Sequence, residues 1–242
     1  MTGAADRRHA WLVVLNFAAI YTLWGSTYLA NRLGVEDLPP GLMAGTRFLV
    51  SGSLLFAWLR LRRQPLPPRR LLGPIALTGL LLLFGGNGLV TYSEQTVHSG
   101  MAALIIANVP FFMVALEATR RDGEPITLLV AAGLLTGFSG MLILMWPKLA
   151  ALAGQGLGHF RGELALLGAN LAWATGSIYS KHRIKGVAPL MAVAIEMLVA
   201  GVALSLAGLL LGELPRVHVT PRAVAAVGWL IVAGSLCGYS AY

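Results

Sequence analysis

The chain has 242 residues, of which 57% are apolar and only 12% charged, where a soluble domain carries about a quarter charged residues. That composition excludes a water-soluble enzyme, a disordered tail and a disulfide scaffold, and the single cysteine, Cys237, excludes an intrachain disulfide. The net charge of +8 would suit nucleic acid in a soluble protein, so its position along the chain has to decide.

Cutting the sequence at its charged residues leaves eight long apolar runs: Ala10 to Asn31, Leu38 to Leu59, Leu71 to Ser93, Gln95 to Leu116, Pro125 to Pro147, Leu164 to Ser180, Gly186 to Gly212 and Ala223 to Tyr242. A helix needs about 20 residues to cross a hydrocarbon core of about 30 Å. Each run is near or above that length, and in lipid each must be helical so that its backbone polar groups are paired. With a cytoplasmic N-terminus, twelve of the eighteen basic residues lie inside. They are Arg7, Arg8, Arg60, Arg62, Arg63, Arg69, Arg70, Arg120, Arg121, Lys181, Arg183 and Lys185. Arg32, Lys148, Arg161, Arg216 and Arg222 fall outside and Arg47 lies within a span, a positive-inside bias that fixes N-in topology. Topology uses the basic charge, and no nucleic acid is called for. The first run is too long for a signal-peptide core and is read as a span.

The chain also matches itself. Trp24-Gly25-Ser26 falls 149 positions before Trp173-Ala174-Thr175, Pro40 before Pro189, and Val50-Ser51-Gly52 before Val199-Ala200-Gly201. One residue later in register, Gly88-Leu89-Val90-Thr91-Tyr92 faces Gly238-Tyr239-Ser240-Ala241-Tyr242. The offset spans five helices, an odd number, so the second copy is inverted. Inverted repeats of this kind mark secondary transporters, whose site lies near the midplane between the halves. The expected fold is an all-α polytopic membrane protein built from inverted five-helix units. Its parts are a cytoplasmic N-terminus (1–9), a first repeat (10–147, helices 1–5), a connecting loop (148–161) and a second repeat (162–242, helices 6–8). Eight helices of an expected ten are present, and a C-terminal truncation is the expectation.

The candidate residues follow in chain order. Helix 1 carries Trp24, Ser26, Thr27 and Tyr28, whose hydroxyls and indole N–H can line a cavity. Arg47 and Glu196, equivalent under the repeat, are the full charges well inside spans, where ionisable groups are costly and mark function. Read together, they either pair across the pseudo-twofold axis or bind a solute's carboxylate and amine. Helix 3 offers Asn87, within Gly85-Gly86-Asn87-Gly88, and Tyr92. Its glycines allow either a break in the helix or close packing. Glu94 and His98 are expected to be solvated in a short outer loop. Asn108 with Pro110 marks a kink in helix 4. Trp173, Ser177 and Tyr179 belong to the second-copy counterpart of the helix-1 cluster. Gly41-x3-Gly45, Gly133-x3-Gly137 and Gly234-x3-Gly238 read as packing faces. Gly154-Gln155-Gly156-Leu157-Gly158 lacks a Walker lysine and a preceding strand, and reads as a connector. No metal site, cofactor or ATP-binding motif is expected. No nucleophile sits with a base, so the chain is not read as an enzyme.

The stretch Trp24-Gly25-Ser26-Thr27-Tyr28-Leu29-Ala30-Asn31-Arg32, then Leu38-Pro39-Pro40, Arg47-Phe48, Ser99-Gly100-Met101-Ala102-Ala103-Leu104-Ile105 with Pro110, the Gly123-Glu124 turn, and Trp173 with Gly176-Ser177, resembles the drug/metabolite transporter superfamily, in particular its EamA-type members. The resemblance covers Trp11 to Tyr242. It implies ten helices in two inverted copies with cytoplasmic termini, in a bacterial inner membrane. The implied activity is export of amino acids and related small metabolites; the inverted repeat points to alternating access, and the lack of an ATP-binding motif to gradients as its energy source. The implied partners are a small-molecule substrate and the lipid bilayer, and a homodimer is allowed. The other reading is a non-transporting fragment or an auxiliary membrane subunit.

Overall fold

A computed structural model describes residue 11 and residues 21–120, 123, 126–152 and 160–238. The expected N-terminal segment, the Glu124 half of the Gly123-Glu124 turn, the 154–158 glycine loop and residues 239–242 lie outside the described residues. Most of the rest is helical: α1 (21–35), α2 (Pro40–Leu61), α3 (Arg69–Ser93), α4 (Ser99–Ile106), α5 (Val109–Ala118), α6 (Leu128–Leu152), α7 (Arg161–Arg183), α8 (Pro189–Leu210) and α9 (Pro221–Cys237). Among these, α2, α3, α4 with α5, α6 and α8 are long and apolar enough to cross a membrane. The α9 helix is apolar but shorter.

Helix boundaries follow local chemistry. Prolines open α2 and α8 at Pro40 and Pro189, where a missing N–H costs nothing and a fixed φ favours the first turn. The α2 N-terminus receives a carboxylate from a distant part of the chain. Glu213 accepts hydrogen bonds from the backbone N–H of Gly41 at 3.2 Å and of Leu42 at 2.9 Å, which satisfies orphan donors and complements the helix dipole. The expected fourth span is divided. It stops at Ala107–Asn108 and restarts as α5 with Pro110 in its first turn, and the Asn108 amide donates to the freed carbonyls of Leu104 and Ile105 at 3.3 Å.

The repeat is visible in backbone detail. The α2 and α8 helices are both 22 residues long and begin at prolines 149 positions apart. Both end in the same motif. Gln64 N–H donates to Leu59 C=O and Glu213 N–H to Gly208 C=O, with left-handed residues Arg63 (φ 57°) and Gly212 (φ 69°) just before. Each copy then carries an eight-residue π-helical stretch, Leu80–Asn87 and Leu230–Cys237, 150 positions apart. Gly85-Gly86-Asn87-Gly88 therefore does not break helix 3. It widens the winding, and its glycines admit neighbours. A Cβ on Gly85 would meet Ala172 at 3.0 Å and one on Gly88 would meet Leu204 at 2.8 Å.

At the centre α2 and α8 cross antiparallel through small residues. A Cβ on Gly45 would lie 2.8 Å from the Ser205 nitrogen, one on Gly201 2.8 Å from the Leu49 nitrogen, and one on Gly208 3.0 Å from the Leu42 nitrogen. Close backbone approach of this kind drives helix association where lipid removes the hydrophobic contrast. It bears out the packing role expected of Gly41 and Gly45. Gly133 and Gly137 differ, because a Cβ on either meets nothing within 4 Å. Buried Leu55 and Leu59 of α2 pack with Met191 and Ala194 of α8. The loop after α2 (Arg62) and the loop before α8 (Lys185) therefore share one end of the bundle. This basic end also holds Glu117 against Lys181 and His182. At the opposite end Arg222 of α9 pairs with Glu36 and Asp37 after α1.

Candidate functional site

Two cavities lie along the seam between the repeats, and the same two tryptophans line both. Trp24 of α1 and Trp173 of α7 stand with ring centroids 5.6 Å apart at 59°, a tilted arrangement favourable for aromatic pairs. A glycine within the first π-helical stretch and one directly after the second make room for them across the repeat boundary. A Cβ on Gly86 would sit 3.0 Å from the Trp173 ring, and one on Gly238 3.1 Å from Trp24 Nε1.

The cavity on the side away from the basic end is lined by Thr27, Tyr28, Asn31, Arg47, Asn87, Val90 and Gly234 with the tryptophan pair. Trp24, Thr27, Tyr28 and Asn31 recur at helical spacing and so share one face of α1. Arg47 is 3% exposed. Its Nε donates to Ser235 Oγ at 2.9 Å, and its guanidinium carbon lies 4.8 Å from the centroid of the buried Phe48 ring. It does not snorkel to a headgroup. Gly234 gives it space, since a Cβ there would lie 2.8 Å from Arg47 Nη2. This cavity has a free volume of only about 30 Å³, room for a water or two.

The cavity toward the basic end is lined by Ser177, Ser180, Lys181, Pro189 and Glu196, among others, together with the tryptophans. Its free volume is about 280 Å³. The two cavities are repeat mates. At the offset of 149, Trp24 corresponds to Trp173, Tyr28 to Ser177, Asn31 to Ser180 and Arg47 to Glu196. One half of the route is thus marked by a guanidinium and the other by a carboxylate.

Among the described residues no ion pair joins Arg47 to Glu196. They line different cavities, although α2 and α8 are neighbours as the pairing idea required. Of the remaining sequence candidates, Trp24, Thr27, Tyr28, Asn87, Trp173 and Ser177 line one or both cavities. Ser26 does not. It faces α9, where Trp229 Nε1 donates to its Oγ at 3.0 Å. Asn108 lies in a separate groove between the α4–α5 break and α6, beside Phe111 and Phe138. Tyr92 is 43% exposed, and Tyr179 is half-buried; neither borders the two cavities. Two residues were undervalued. Asn31 is buried in the cavity wall with its Oδ1 unpartnered, and its spacing from Trp24 could have revealed it. Glu94, expected in solvent, is completely buried. The chain turns there against α1 and α7, a tertiary effect that no local pattern encodes. His98 is exposed as expected. Among the described residues no group of three or more metal-ligating side chains converges.

Comparison with known proteins gives a consistent result. The chain is 42% identical over 225 residues to the uncharacterized inner membrane transporter YedA of Escherichia coli (strain K12), an alignment covering 93% of this chain and 71% of YedA. It is 26% identical over 213 residues to the uncharacterized transporter YoaV of Bacillus subtilis (strain 168), covering 88% of this chain and 72% of YoaV. A chain of known crystal structure superposes with a TM-score of 0.57 at 21% identity, covering 96% of this chain and 85% of that one, which shows a shared fold. Residues 11–146 and 160–242 match the EamA-like transporter family, and the chain belongs to that family.

Proposed function

We propose that this chain is a secondary transporter of the bacterial inner membrane, with a cytoplasmic N-terminus, that exports amino acids or related small metabolites by alternating access. The observation that carries this reading is the pair of repeat-related cavities meeting at the Trp24–Trp173 wall, one of about 30 Å³ and the other of about 280 Å³. Two halves of equivalent lining and unequal volume are what an inverted repeat gives when one side is open and the other closed. In this reading the open side is the basic, cytoplasmic one. A solute enters past Lys181 and Ser180, with Glu196 in reach of its amine. The tryptophans separate, and its carboxylate passes to Arg47. Exchange of the two repeats' conformations then opens the other side. Residues 10–147 and 162–242 act as the two moving units.

Counterflow of labelled amino acids in reconstituted vesicles tests this. Wild type should exchange at least one neutral amino acid, and Arg47→Gln should lower its apparent affinity about tenfold or more, the worth of one charge-assisted hydrogen bond. Folded protein that exchanges none of the amino acids would overturn the substrate class. Exchange unaffected by both Arg47→Gln and Trp173→Ala would overturn the route.

A further inference from the structure

Glu94 follows the last turn of α3 and is 0% exposed. Neither of its carboxylate oxygens has a hydrogen-bond partner among the described residues. Arg32 of α1 does reach this residue, but its Nη1 donates to the Glu94 backbone carbonyl. Next to Arg32, the Asn31 Oδ1 is also buried and unpartnered, in the wall of the closed cavity. The second cation acting on Glu94 is Arg47 of α2. On α7, whose Gly162 lies against Ser93 and Val97, Glu163 is buried and Arg161 exposed; His98, just before α4, is also exposed. An ionised carboxylate at Glu94 has therefore lost its water without gaining a hydrogen bond, and only the two guanidiniums favour its charge. Burial outweighs them and pushes the carboxyl up to about 9.

We propose that Glu94 is an exchangeable proton-binding site of the closed half of the pathway, whose proton affinity follows the net charge at Arg47. A carboxylate-bearing solute bound at Arg47 offsets the guanidinium. Around its alkaline midpoint, where the carboxyl is partly ionised, Glu94 then takes up protons from solvent, and it releases them when the anion leaves. The one bond made and broken is the O–H of the Glu94 carboxyl. Glu94 titrates whether or not solute crosses the membrane, so this site stands or falls apart from the transport reading.

Infrared pH titration of the purified chain in lipid nanodiscs reads the protonated carboxyl directly. Wild type should show a carboxylic-acid carbonyl band at pH 6 that disappears in the alkaline range and is absent in Glu94→Gln. Arg47→Gln should move the midpoint up by about one pH unit or more, and Arg47→Lys, which keeps the charge, should leave it in place. Where Arg47→Gln does not fold, wild type saturated with acetate supplies the same reading, with an upward shift that chloride does not reproduce. An identical titrating band in wild type and Glu94→Gln overturns the proposal. So does a midpoint that neither Arg47→Gln nor acetate moves.

Discussion

Arg47 has little freedom: Ser235 holds its Nε, Phe48 covers one face of the guanidinium, and the bare Cα of Gly234 borders its terminal nitrogen. Gly234→Ala should therefore displace Arg47 and abolish counterflow while the protein still elutes as wild type from size exclusion. Since Arg47 and Glu196 line different cavities, the double exchange Arg47→Glu with Glu196→Arg should not rescue either single change; restored transport would mean that the two meet elsewhere in the cycle. Glu94 makes a thermal prediction as well. Its carboxyl is raised from an ordinary 4.5 to about 9, so the folded protein holds a proton that the unfolded chain releases. The stability this confers is complete below the unfolded value and is lost as pH climbs toward the folded one. Melting of wild type in detergent should fall between pH 5 and pH 9, and Glu94→Gln should flatten that slope. The charge of Arg47 inside an apolar run was legible in the sequence, because a guanidinium in lipid needs a reason. The burial of Glu94 was not, because a carboxylate at the end of a span looks the same in solvent as under a folded loop.

Helix ends repeat between the copies, yet the residues at them differ, and this yields a matched pair of tests. Arg63 and Gly212 occupy the same left-handed position after α2 and α8. A side chain there is strained by about 1 kcal/mol relative to glycine. Arg63→Gly should thus raise stability modestly and Gly212→Arg should lower it by a similar amount, read as opposite shifts in melting temperature. Glu213→Ala, which removes the carboxylate from the α2 N-terminus, should cost about 1 kcal/mol, and Glu213→Gln less. The prolines at 40 and 189, the kink at Asn108–Pro110 and the glycine-rich faces of α2 all follow from intrinsic backbone preferences, which is why they could be read locally. The π-helical winding could not. Leu80–Asn87 is rich in leucine and glycine and fits an α-helix as well. Within it, Gly86 lies against the indole of Trp173, from the other repeat, a neighbour that no local pattern names.

For the molecule as a whole, the unequal cavities set an accessibility pattern. In a Cys237→Ser background, needed because Cys237 is exposed, Ser180→Cys should react with a membrane-impermeant maleimide from the basic side. Asn31→Cys, its repeat mate in the 30 Å³ cavity, should react slowly from either side. Equal labelling of both would contradict a closed half. The basic residues made one end of the bundle legible, and the 149-residue offset made the antiparallel relation of the copies legible. Consistent with both, the loops around Arg62 and Lys185 meet at one end through the Leu59–Met191 contact.

Hydropathy, charge bias and internal repetition were enough to determine a helical, membrane-spanning, duplicated chain. Each is a property summed along the chain, and lipid penalises every alternative. Which polar side chains face one another was decided only by the folded bundle. Ser26 turned to α9, Tyr92 turned outward, Asn31 and Glu94 turned inward, and Arg47 and Glu196 went to opposite cavities. Those outcomes depend on the rotation of each helix about its own axis, set by glycine contacts between helices far apart in sequence.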